Sequence, residues 1–468
     1  MRPQSPQEEL EALDRAIALK PDCAEAYFRR GDVLQDLGRM QDALASYDQA
    51  VTFKNDYAAA YCNRGNVLKD LQRFEQALEN YDHAIALQPG LAAAHHNRGI
   101  VLQKLDRLEE ALASYDRMIA LRPDFPPAHY NRGNVLKDLK RLTEAIESYD
   151  RTIALLPDHA MSHVNKALIM LLLGNYREGW PLYEWRWKHE LKGEARRFTQ
   201  PLWLGDESLA GRTLLIHSEQ GLGDAIQFSR YGKMAEDKGA KVVLEAPQEL
   251  VSIFKTLPGD ITVVEKGKPL PGFDLQCPMM SLPLAFKTTV ETVPGGIPYL
   301  FVDRDKKVVW REKLGTAARP KIGLAWSGRA GHKNDPQRSL ELKTLIPLMN
   351  LPFEFHSIQT EYRENEKPLL ESLPNLKDHS GELKDFSDTA ALISEMDLVL
   401  SVDTSVAHLA GALGKKVWIL LPTLPDFRWL LERLDSPWYP TAKLWRQPES
   451  GGWEPVLKDV VEELKREF

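Results

Sequence analysis

The sequence has few cysteines and no long apolar segment. Its 468 residues include three cysteines, Cys23, Cys62 and Cys277, and no two of them form a CxxC pair. Such scattered thiols support neither a disulfide framework nor a zinc site, and they suit a reducing compartment. The longest apolar run, residues 167–173, is far shorter than the roughly 20 residues that a membrane-spanning helix needs. The N-terminal residues lack the apolar centre of a signal peptide, so we expect a cytoplasmic protein.

An excess of positive charge is also missing. The chain has 60 Lys and Arg against 67 Asp and Glu, which gives a formal net charge of -7 at pH 7. Non-specific nucleic-acid binding depends on an excess of basic side chains, so the composition argues against that class of function. The length exceeds what one ordinary hydrophobic core accommodates, and we therefore expect more than one domain.

A unit of 34 residues is repeated through the N-terminal part of the chain. The string Asn-Arg-Gly begins at Asn63, Asn97 and Asn131, each 34 positions after the last. One glycine, one alanine, one tyrosine and one proline recur in the same register. They are Gly31, Gly65, Gly99 and Gly133; Ala43, Ala77, Ala111 and Ala145; Tyr47, Tyr81, Tyr115 and Tyr149; and Pro89, Pro123 and Pro157. The pattern predicts pairs of helices, with small residues where the helices cross and a proline closing each unit.

This spacing resembles the tetratricopeptide repeat, which implies an α-solenoid over residues 1–195. Residues 8–20 resemble the second helix of a leading partial unit. Residues 160–190 resemble a trailing unit, and we expect the aromatic side chains of its GNYREGWPLYEWRWK segment to cap or dock the array.

One asparagine recurs at the same place on successive first helices. The four positions are Asn63, Asn97, Asn131 and Asn165, whereas Arg29 takes this place in the first full copy. A primary amide offers a donor and an acceptor together, so a column of them can hold the backbone of an extended peptide. The column is similar to the asparagine ladder of O-linked N-acetylglucosamine transferase. The alternative, equally open from the sequence, is that these amides link one helix to the next.

The second half alternates apolar strand patterns with helical ones. The segment RTLLIHSEQGLGDAIQFSRYGKMAEDKGAKVVLEA predicts strand, loop, helix and strand, and the scheme restarts at residue 320 with KIGLAWSG. Such alternation predicts parallel sheets with right-handed crossovers. We place one α/β domain at residues 196–310 and a second at 311–468. In open α/β sheets, ligands bind at the carboxyl ends of the strands, so the loops there are candidates for one site.

A polar bend, Asp403-Thr404-Ser405, separates a predicted strand from a predicted helix. The first backbone N–H groups of that helix lack partners and carry about half a positive charge, which suits a diphosphate. Thr404 or Ser405 can cap the helix or face an anion, and His408 can donate a hydrogen bond to a phosphate oxygen. The alternative is an ordinary helix cap beside a histidine of the core.

Two motifs carry a further resemblance, which extends from Leu204 to Phe468. DTSVAHLAGALGKKVW is similar to the D-T-G-x-x-H-[LI]-A-x-A-L-G signature of the heptosyltransferase-like glycosyltransferases, family 9. SEQGLGDAIQFSRY is similar to the first loop of that family, whose Gly-Asp step carries the catalytic carboxylate. The resemblance implies a GT-B fold of two Rossmann-like domains, the first on the acceptor side and the second binding the nucleotide sugar and ending in a crossing helix. Ser405 stands where the family has glycine, so the pocket near the donor can differ.

The resemblance also implies roles for individual residues. Asp224 would be the general base and His408 would assist catalysis. Contacts to the nucleotide sugar fall on the loops of both motifs and on the segment after residue 320, where the choice between Lys333 and Arg338 as the phosphate cation stays open. These donor-binding positions are Gly223, Ser327, Gly328, Lys333, Arg338, Gln359, Asp403, Thr404 and Ser405.

No metal site or bound cofactor is expected. The Asp303-Arg304-Asp305 triplet imitates a metal-binding DxD motif, but it falls in the connection between the α/β domains and is interpreted as linker charge. Stabilisation of the leaving diphosphate would then depend on the helix dipole and on cationic side chains.

The sequence therefore predicts an inverting, metal-independent glycosyltransferase that moves a sugar from a nucleotide-diphosphate sugar to a hydroxyl. Its repeats would recruit a protein or peptide acceptor, and self-association into a homo-oligomer is compatible with them. One alternative is a non-catalytic adaptor with a nucleotide-binding α/β half. Another is a transferase acting on lipopolysaccharide or polysaccharide. A dehydrogenase fits poorly, because Ile226 occupies the third glycine position of a dinucleotide fingerprint.

Overall fold

The computed structural model describes residues 5–189, 191, 193, 196, 198–315, 319–328 and 335–468. The chain divides into two compact units, Met1–Lys166 and Ala167–Phe468, and one helix spans the division. None of the helices in the described ranges is long and apolar enough to cross a membrane.

The first unit consists of helices of nearly equal length. Its helices, with the one that spans the division, are α1 (Pro6–Leu19), α2 (Ala24–Asp36), α3 (Met40–Phe53), α4 (Ala58–Asp70), α5 (Phe74–Leu87), α6 (Ala92–Lys104), α7 (Leu108–Leu121), α8 (Pro126–Asp138), α9 (Leu142–Leu155) and α10 (Ala160–Leu172). Within each repeat the two helices pack on one another, and each repeat also packs on the next along the chain. This is the arrangement that the 34-residue period predicts.

A glycine and a tyrosine make the central contact of each repeat. A Cβ atom added at Gly65 would lie 2.8 Å from Cε1 of Tyr81, and the Gly31, Gly99 and Gly133 positions meet their own tyrosines in the same way. Tyr81 is fully buried, so its ring has no room to give way. The repeated glycine is therefore a packing residue, retained because a larger side chain would collide with the ring.

The second unit contains two parallel sheets. The strands are β1 (Thr213–His217), β2 (Lys241–Ala246), β3 (Ile261–Glu265), β4 (Leu275–Pro278), β5 (Lys321–Ala325), β6 (Glu354–Ser357), β7 (Leu376–Asp378), β8 (Leu398–Val402), β9 (Val417–Leu421) and β10 (Ala442–Arg446). The first sheet has the order β3-β2-β1-β4 and the second the order β10-β9-β8-β5-β6-β7. The pairings between these strands are all parallel, as the alternation of strand and helix patterns predicts.

Helices connect and cover these strands. They are α11 (Tyr176–Tyr183), α12 (Leu222–Phe228), α13 (Tyr231–Asp237), α14 (Gln248–Phe254), α15 (Leu282–Ala285), α16 (Arg304–Leu314), α17 (Asp335–Arg338), α18 (Ile346–Met349), α19 (Lys367–Glu371), α20 (Phe386–Ser394), α21 (Ser405–Ala412) and α22 (Glu454–Glu467). Short 3-10 turns lie at Glu184–Lys188, Met279–Ser281, Leu342–Leu345 and Phe427–Trp429.

Strand order reverses at one place in each sheet. In the second sheet, β5 and β8 are neighbours, and the chain builds outward from them in both directions. In the first sheet, β1 and β4 are neighbours in the same way. Loops that leave the carboxyl ends of such strands diverge to opposite faces and open a crevice, which is where ligands bind in doubly wound sheets.

The C-terminal helix packs on the second sheet. The apolar side chains of α22 are Val456, Leu457, Val460 and Leu464, and they belong to the buried core that includes Trp418 of β9. We expected this helix to cross to the first α/β domain. That expectation is wrong, because these buried contacts are with the core of the second sheet. The spacing of its apolar residues gives α22 a single buried stripe, and the core under β9 and β10 takes it up.

Candidate functional site

The first candidate loop leads from β1 into α12. Gly221 is the residue before the helix, and its backbone N–H donates to the Asp224 carboxylate at 2.8 Å. This bond fixes the aspartate against the first turn, where the helix dipole favours a negative charge. The other carboxylate oxygen of Asp224 accepts a hydrogen bond from Nη2 of Arg428.

The second candidate loop leads from β8 into α21, which begins at Ser405. Thr404 precedes the helix in an extended conformation, but no side-chain oxygen accepts a hydrogen bond from the first turn. The hydroxyl oxygen of Thr404 lies 3.3 Å from that of Ser401 instead. We expected Thr404 or Ser405 to cap the helix or to face an anion. Thr404 does not cap the helix, and contact with an anion stays a prediction.

The two helices that follow these loops lie against one another. A Cβ atom added at Gly223 would lie 2.8 Å from Cδ2 of His408 and 3.7 Å from Cα of Ser405. Only glycine allows α12 and α21 to approach this closely at position 223. The structure therefore brings together Gly223, Asp224, Ser405 and His408, which come from separate α/β elements of the chain.

His408 is enclosed between α21 and the segment after β9. Its Nδ1 lies 3.0 Å from the hydroxyl of Tyr439, and its ring stacks on Trp429 at 5.3 Å between centroids. Burial lowers the pKa of His408 well below its usual range, and nearby Arg428 lowers it further. The imidazole is therefore neutral near pH 7, and its role in catalysis stays a prediction. The alternative of a core histidine fits its surroundings better.

A further buried cation, Arg428, lies beside these loops. It lies in the 3-10 turn Phe427–Trp429, and its Nη1 donates to the Asp426 carboxylate at 2.6 Å. Burial alone would lower the pKa of Arg428, but Asp224 and Asp426 outweigh burial and raise it. The sequence analysis missed this residue because its segment, rich in Trp, Pro and Arg, has the composition of a core edge.

Asp403 lies beside the same arginine. Burial raises the pKa of the Asp403 carboxyl to about 6, and the charge of Asp426 adds to that increase, whereas Arg428 opposes it. The Asp403 carboxylate oxygen is 3.7 Å from Nε2 of His408. Its backbone carbonyl accepts a hydrogen bond from Nη1 of Arg338 at 3.1 Å.

Arg338 also contacts the loop after β5. A Cβ atom added at Gly328 would lie 2.5 Å from Nη2 of Arg338, and the Gly328 N–H donates to the hydroxyl of Ser339 at 3.0 Å. Arg338 thus connects the β5 loop with the β8 loop at the place where strand order reverses. The other candidate cation, Lys333, lies outside the described residues.

Gln359 stabilises the β5 loop. Its carbonyl oxygen accepts from the backbone N–H groups of Trp326 at 2.6 Å and Ser327 at 2.7 Å. Its amide nitrogen donates to the Ser327 hydroxyl and to the carbonyl of Glu361, each at 3.1 Å. We expected Gln359 to contact the nucleobase or ribose. The buried amide is engaged within the loop instead, and its contact with a donor stays a prediction.

A second carboxylate at the end of β1 was also missed. Glu219 accepts hydrogen bonds from the backbone N–H groups of Met279 and Met280, each at 2.9 Å, and from Arg186 at 3.1 Å. Burial raises the pKa of Glu219 to about 7, although Arg186 opposes that increase. Glu219 therefore holds the β4 end against the β1 end, five residues before Asp224.

Aromatic side chains of α11 dock within the second unit. The hydroxyl of Tyr183 accepts a hydrogen bond from Gln220 at 2.9 Å, and its ring lies 6.1 Å from that of Phe427. The hydroxyl of Tyr176 accepts from the indole N–H of Trp438 at 3.3 Å. This helix thus supports both loops that bear the Asp224–Arg428 ion pair.

The repeated asparagines use their amide N–H groups inside the array. Asn97 donates to Oδ1 of Asn66 at 2.8 Å, and the same oxygen accepts from the hydroxyl of Tyr81. In the same way, Asn63 donates to Asp32 at 2.8 Å and Asn165 donates to Asn134 at 3.1 Å. The helix-to-helix alternative is therefore what the structure displays.

Asn131 is the exception among the repeated asparagines. The residue that would accept from it by this pattern is Ile100, which has no acceptor. Asn131 lies beside the hydroxyl of Tyr115, which itself donates to Gln103 at 2.7 Å. The column is thus a set of links between repeats, interrupted at one position.

Among the described residues, no group of His, Cys, Asp or Glu is arranged to hold a metal ion. Asp303 of the DxD-like triplet caps α16 instead, accepting from the backbone N–H groups of Asp305 and Lys306 at 3.0 Å each. Its carboxylate is therefore engaged in a local helix cap.

Comparison with known proteins identifies the repeats. Family models described as TPR repeat match residues 31–72 and 65–106, and one described as Tetratricopeptide repeat matches residues 96–160. The predicted tetratricopeptide repeats are therefore confirmed over residues 31–160. Solenoids of this kind present extended surfaces that bind other proteins or peptides.

Relatives and solved structures are similar at low identity. Protein FlbA of Caulobacter vibrioides is 27% identical over 328 residues, which is 64% of this chain and 54% of FlbA. The chain thus spans about half the length of that curated relative. YrrB, a TPR protein with an unusual peptide-binding site, is 23% identical with a TM-score of 0.37, over 40% of this chain and 97% of its own. The pilF protein of Pseudomonas aeruginosa is 18% identical with a TM-score of 0.35, over 39% of this chain and 87% of its own.

Proposed function

We propose that the chain is an inverting, metal-independent glycosyltransferase of the GT-B type, which moves a sugar from a nucleotide-diphosphate sugar to a hydroxyl. One observation carries the proposal. The loops after β1 and β8, far apart in sequence, are adjacent, with the Asp224 carboxylate on one and a helix N-terminus without a side-chain cap on the other. The first sheet would serve the acceptor and the second the nucleotide.

The chemistry follows from these groups. Asp224 accepts the proton of the acceptor hydroxyl while that oxygen forms a bond to the anomeric carbon from the face opposite the leaving group. The bond from the anomeric carbon to the diphosphate oxygen breaks, and its electron pair leaves with the diphosphate. A positioned base of this kind contributes about 10²–10⁴ in rate.

The leaving diphosphate requires positive charge close by. Arg338 and Arg428 supply two guanidinium groups, and the first turn of α21 supplies backbone N–H groups with about half a positive charge. Such preorganised donors stabilise charge that develops in a transition state. Ser327 and Gly328 lie on the adjacent β5 loop, where the ribose or a phosphate would pass.

The tetratricopeptide repeats would recruit the acceptor, which we propose is a protein or peptide. Three of the four repeated asparagines already donate within the array. We therefore assign recruitment to the array's exposed side chains and no longer to an amide ladder.

The test uses the full chain with a panel of UDP-, GDP- and ADP-sugars, following thermal shift and slow release of the nucleoside diphosphate. Asp224→Asn should reduce release of the diphosphate by about 10²–10⁴ without loss of nucleotide binding. Asp305→Asn is the matched control, because Asp305 is exposed and belongs to the DxD-like triplet. Flat responses to every sugar in the panel would contradict the proposal.

A non-catalytic adaptor is the second candidate. The observation that favours it is that both oxygens of Asp224 already have partners, Gly221 and Arg428, as a purely structural carboxylate would. In that case nucleotides bind, no sugar is released by the wild type, and Asp224→Asn behaves as the wild type does.

A further inference from the structure

Arg428 joins two carboxylates that belong to different parts of the chain. Its Nη1 binds Asp426, two residues away, whereas its Nη2 binds Asp224, which is 204 positions away. The guanidinium is enclosed, with 9% of the side chain exposed, and it lies 4.5 Å from the ring of Phe427. Asp224 is more open, with 20% of its side chain exposed.

The guanidinium also has capacity that the carboxylates do not use. Its Nε is buried and has no hydrogen-bond partner among the described residues, and the same is true of Nε of Arg338. Asp403 lies between these two arginines, since it bonds Arg338 through its carbonyl and interacts electrostatically with both. Two cations with unused donors thus flank the loop at the N-terminus of α21.

The contact with Arg428 competes with an acceptor hydroxyl for the Asp224 carboxylate. One carboxylate oxygen accepts from Gly221 and the other from Arg428, so both face donors rather than an acceptor hydroxyl. A diphosphate is a stronger partner for a guanidinium than a single carboxylate, because it carries more charge and offers paired oxygens. It would compete with Asp224 for the same N–H groups.

We propose that Arg428 couples donor binding to the availability of the base: a nucleoside diphosphate group that binds between Arg428 and Arg338 takes over the Nη2 donor and releases Asp224. This inference rests on the proposed function, and it adds a positioning role that the family resemblance did not supply. The catalytic carboxylate is then ready only when a donor is present. Because the coupling is reciprocal, Asp224 must in turn weaken the binding of the diphosphate.

That reciprocity gives a test that does not require turnover. Isothermal titration of the full chain with UDP, GDP and ADP first identifies the nucleotide that binds. Asp224→Asn should then tighten its binding by about tenfold, which corresponds to about 1.4 kcal/mol of released competition. Asp305→Asn, the same change of charge at an exposed position, should leave the dissociation constant unchanged.

A second arm separates exchange of partners from a general effect of charge. In an Arg428→Lys or Arg428→Gln background, Asp224→Asn should no longer tighten binding, because the competing contact is already weakened or removed. Equal tightening in the wild-type and Arg428 backgrounds would overturn the inference, and so would unchanged binding by Asp224→Asn alone. The latter comparison stands even if the Arg428 variants fail to fold.

Different results would overturn the proposed function and the coupling through Arg428. Absence of binding by the wild type for all three nucleoside diphosphates would overturn the proposed function, and this inference with it. Clear nucleotide binding that is insensitive to Asp224→Asn would overturn only the coupling through Arg428.

Discussion

The two units place their polar side chains in different ways. In the repeat unit, side-chain hydrogen bonds between helices join residues 12 to 35 positions apart, and the contacts of Asn66, Asp82 and Asn97 span 15, 16 and 31 positions. In the α/β unit, Arg428 reaches Asp224 over 204 positions and Arg230 reaches the Trp438 carbonyl over 208. A polar motif is therefore a connector between neighbours in the first unit, whereas in the second it converges with distant motifs.

The difference has a topological cause. Each repeat of a solenoid contacts only the repeats beside it, so its polar groups find partners at a fixed and short spacing. A parallel sheet collects the carboxyl ends of strands that are far apart in sequence at a single edge. Periodic polar residues are therefore poor evidence of a ligand site, and non-periodic ones at strand ends are better evidence.

The largest expected effect concerns the long-range contacts. Arg230 is buried and donates to the carbonyls of Pro294 at 2.7 Å and Trp438 at 2.8 Å, and to the hydroxyl of Tyr299 at 2.9 Å. Arg230→Met removes all three bonds and leaves the buried Trp438 carbonyl without this donor, so the α/β unit should lose about 3 kcal/mol or more.

Denaturant-dependent hydrogen exchange of the full chain, resolved by peptide, measures this loss. Arg212→Met is the control, since its ion pair with Glu207 is exposed and should contribute about 0.5 kcal/mol or less. If both variants lower the free energy of unfolding by the same amount, the long-range contacts do not distinguish the α/β unit from the repeat unit.

Glu219 gives the α/β unit a dependence on pH. Its pKa is about 7 in the folded chain against an ordinary 4.5, so the folded state binds the proton more tightly. The contribution of Glu219 to stability is therefore full below pH 4.5 and is lost as the pH rises to about 7. One pKa unit corresponds to about 1.4 kcal/mol, so the full loss is about 3 kcal/mol.

The measurement compares the free energy of unfolding of the wild type with that of Glu219→Gln from pH 4.5 to 7.5. The variant should gain stability relative to the wild type as the pH rises. Using the difference matters, because burial lowers the pKa of His217 to about 4, and that group acts in the opposite direction over part of the range. A difference that does not change with pH would refute the prediction.

A smaller effect is expected for the packing of the repeats. Gly65→Ala places a methyl group 2.8 Å from the buried Tyr81 ring, so we expect a loss of about 1–3 kcal/mol. Gly90→Ala is the matched control, since a Cβ there meets nothing within 4 Å. Thermal unfolding of the full chain, followed through the repeat unit, should show a lower stability for the first variant and an unchanged stability for the second.

The smallest effect concerns the links between repeats. Asn97→Ala removes the bond to Asn66 and should cost about 1 kcal/mol. Ile100→Asn would give Asn131 the acceptor that the other repeats possess. In that background the cost of Asn131→Ala should increase by about 0.5 kcal/mol, and a double-mutant cycle measures the difference. A cycle without coupling would mean that position 100 does not complete the link.

Much of the fold could be predicted from patterns in the sequence. The period of 34 residues predicted the paired helices, and the alternation of strand and helix patterns predicted parallel sheets. The destination of α22 could not be predicted, because an apolar stripe shows that a helix packs and not on which sheet.

The candidate site could be predicted in part. The two motifs placed Asp224 and Ser405 at the starts of two helices that prove adjacent. Arg428 was missed because its partner is 204 positions away, and no local spacing shows such a pair. The Gln359 side chain is occupied by hydrogen bonds from two backbone N–H groups of the β5 loop, and no sequence pattern shows such bonds.

The sequence did carry one signal that was not used. Asp32, Asn66 and Asn134 follow the repeated glycine at the same register, and Ile100 interrupts them. An acceptor repeated beside a repeated donor indicates a link inside the array.

The lack of room beside Gly223 has a practical consequence. A methyl group at that position would push α12 and α21 apart, while the chain keeps every ionisable side chain of both loops. Gly223→Ala thus separates the effect of distance from the effect of side-chain chemistry. Every ionisable side chain remains in the chain, and the distance between the two helices increases.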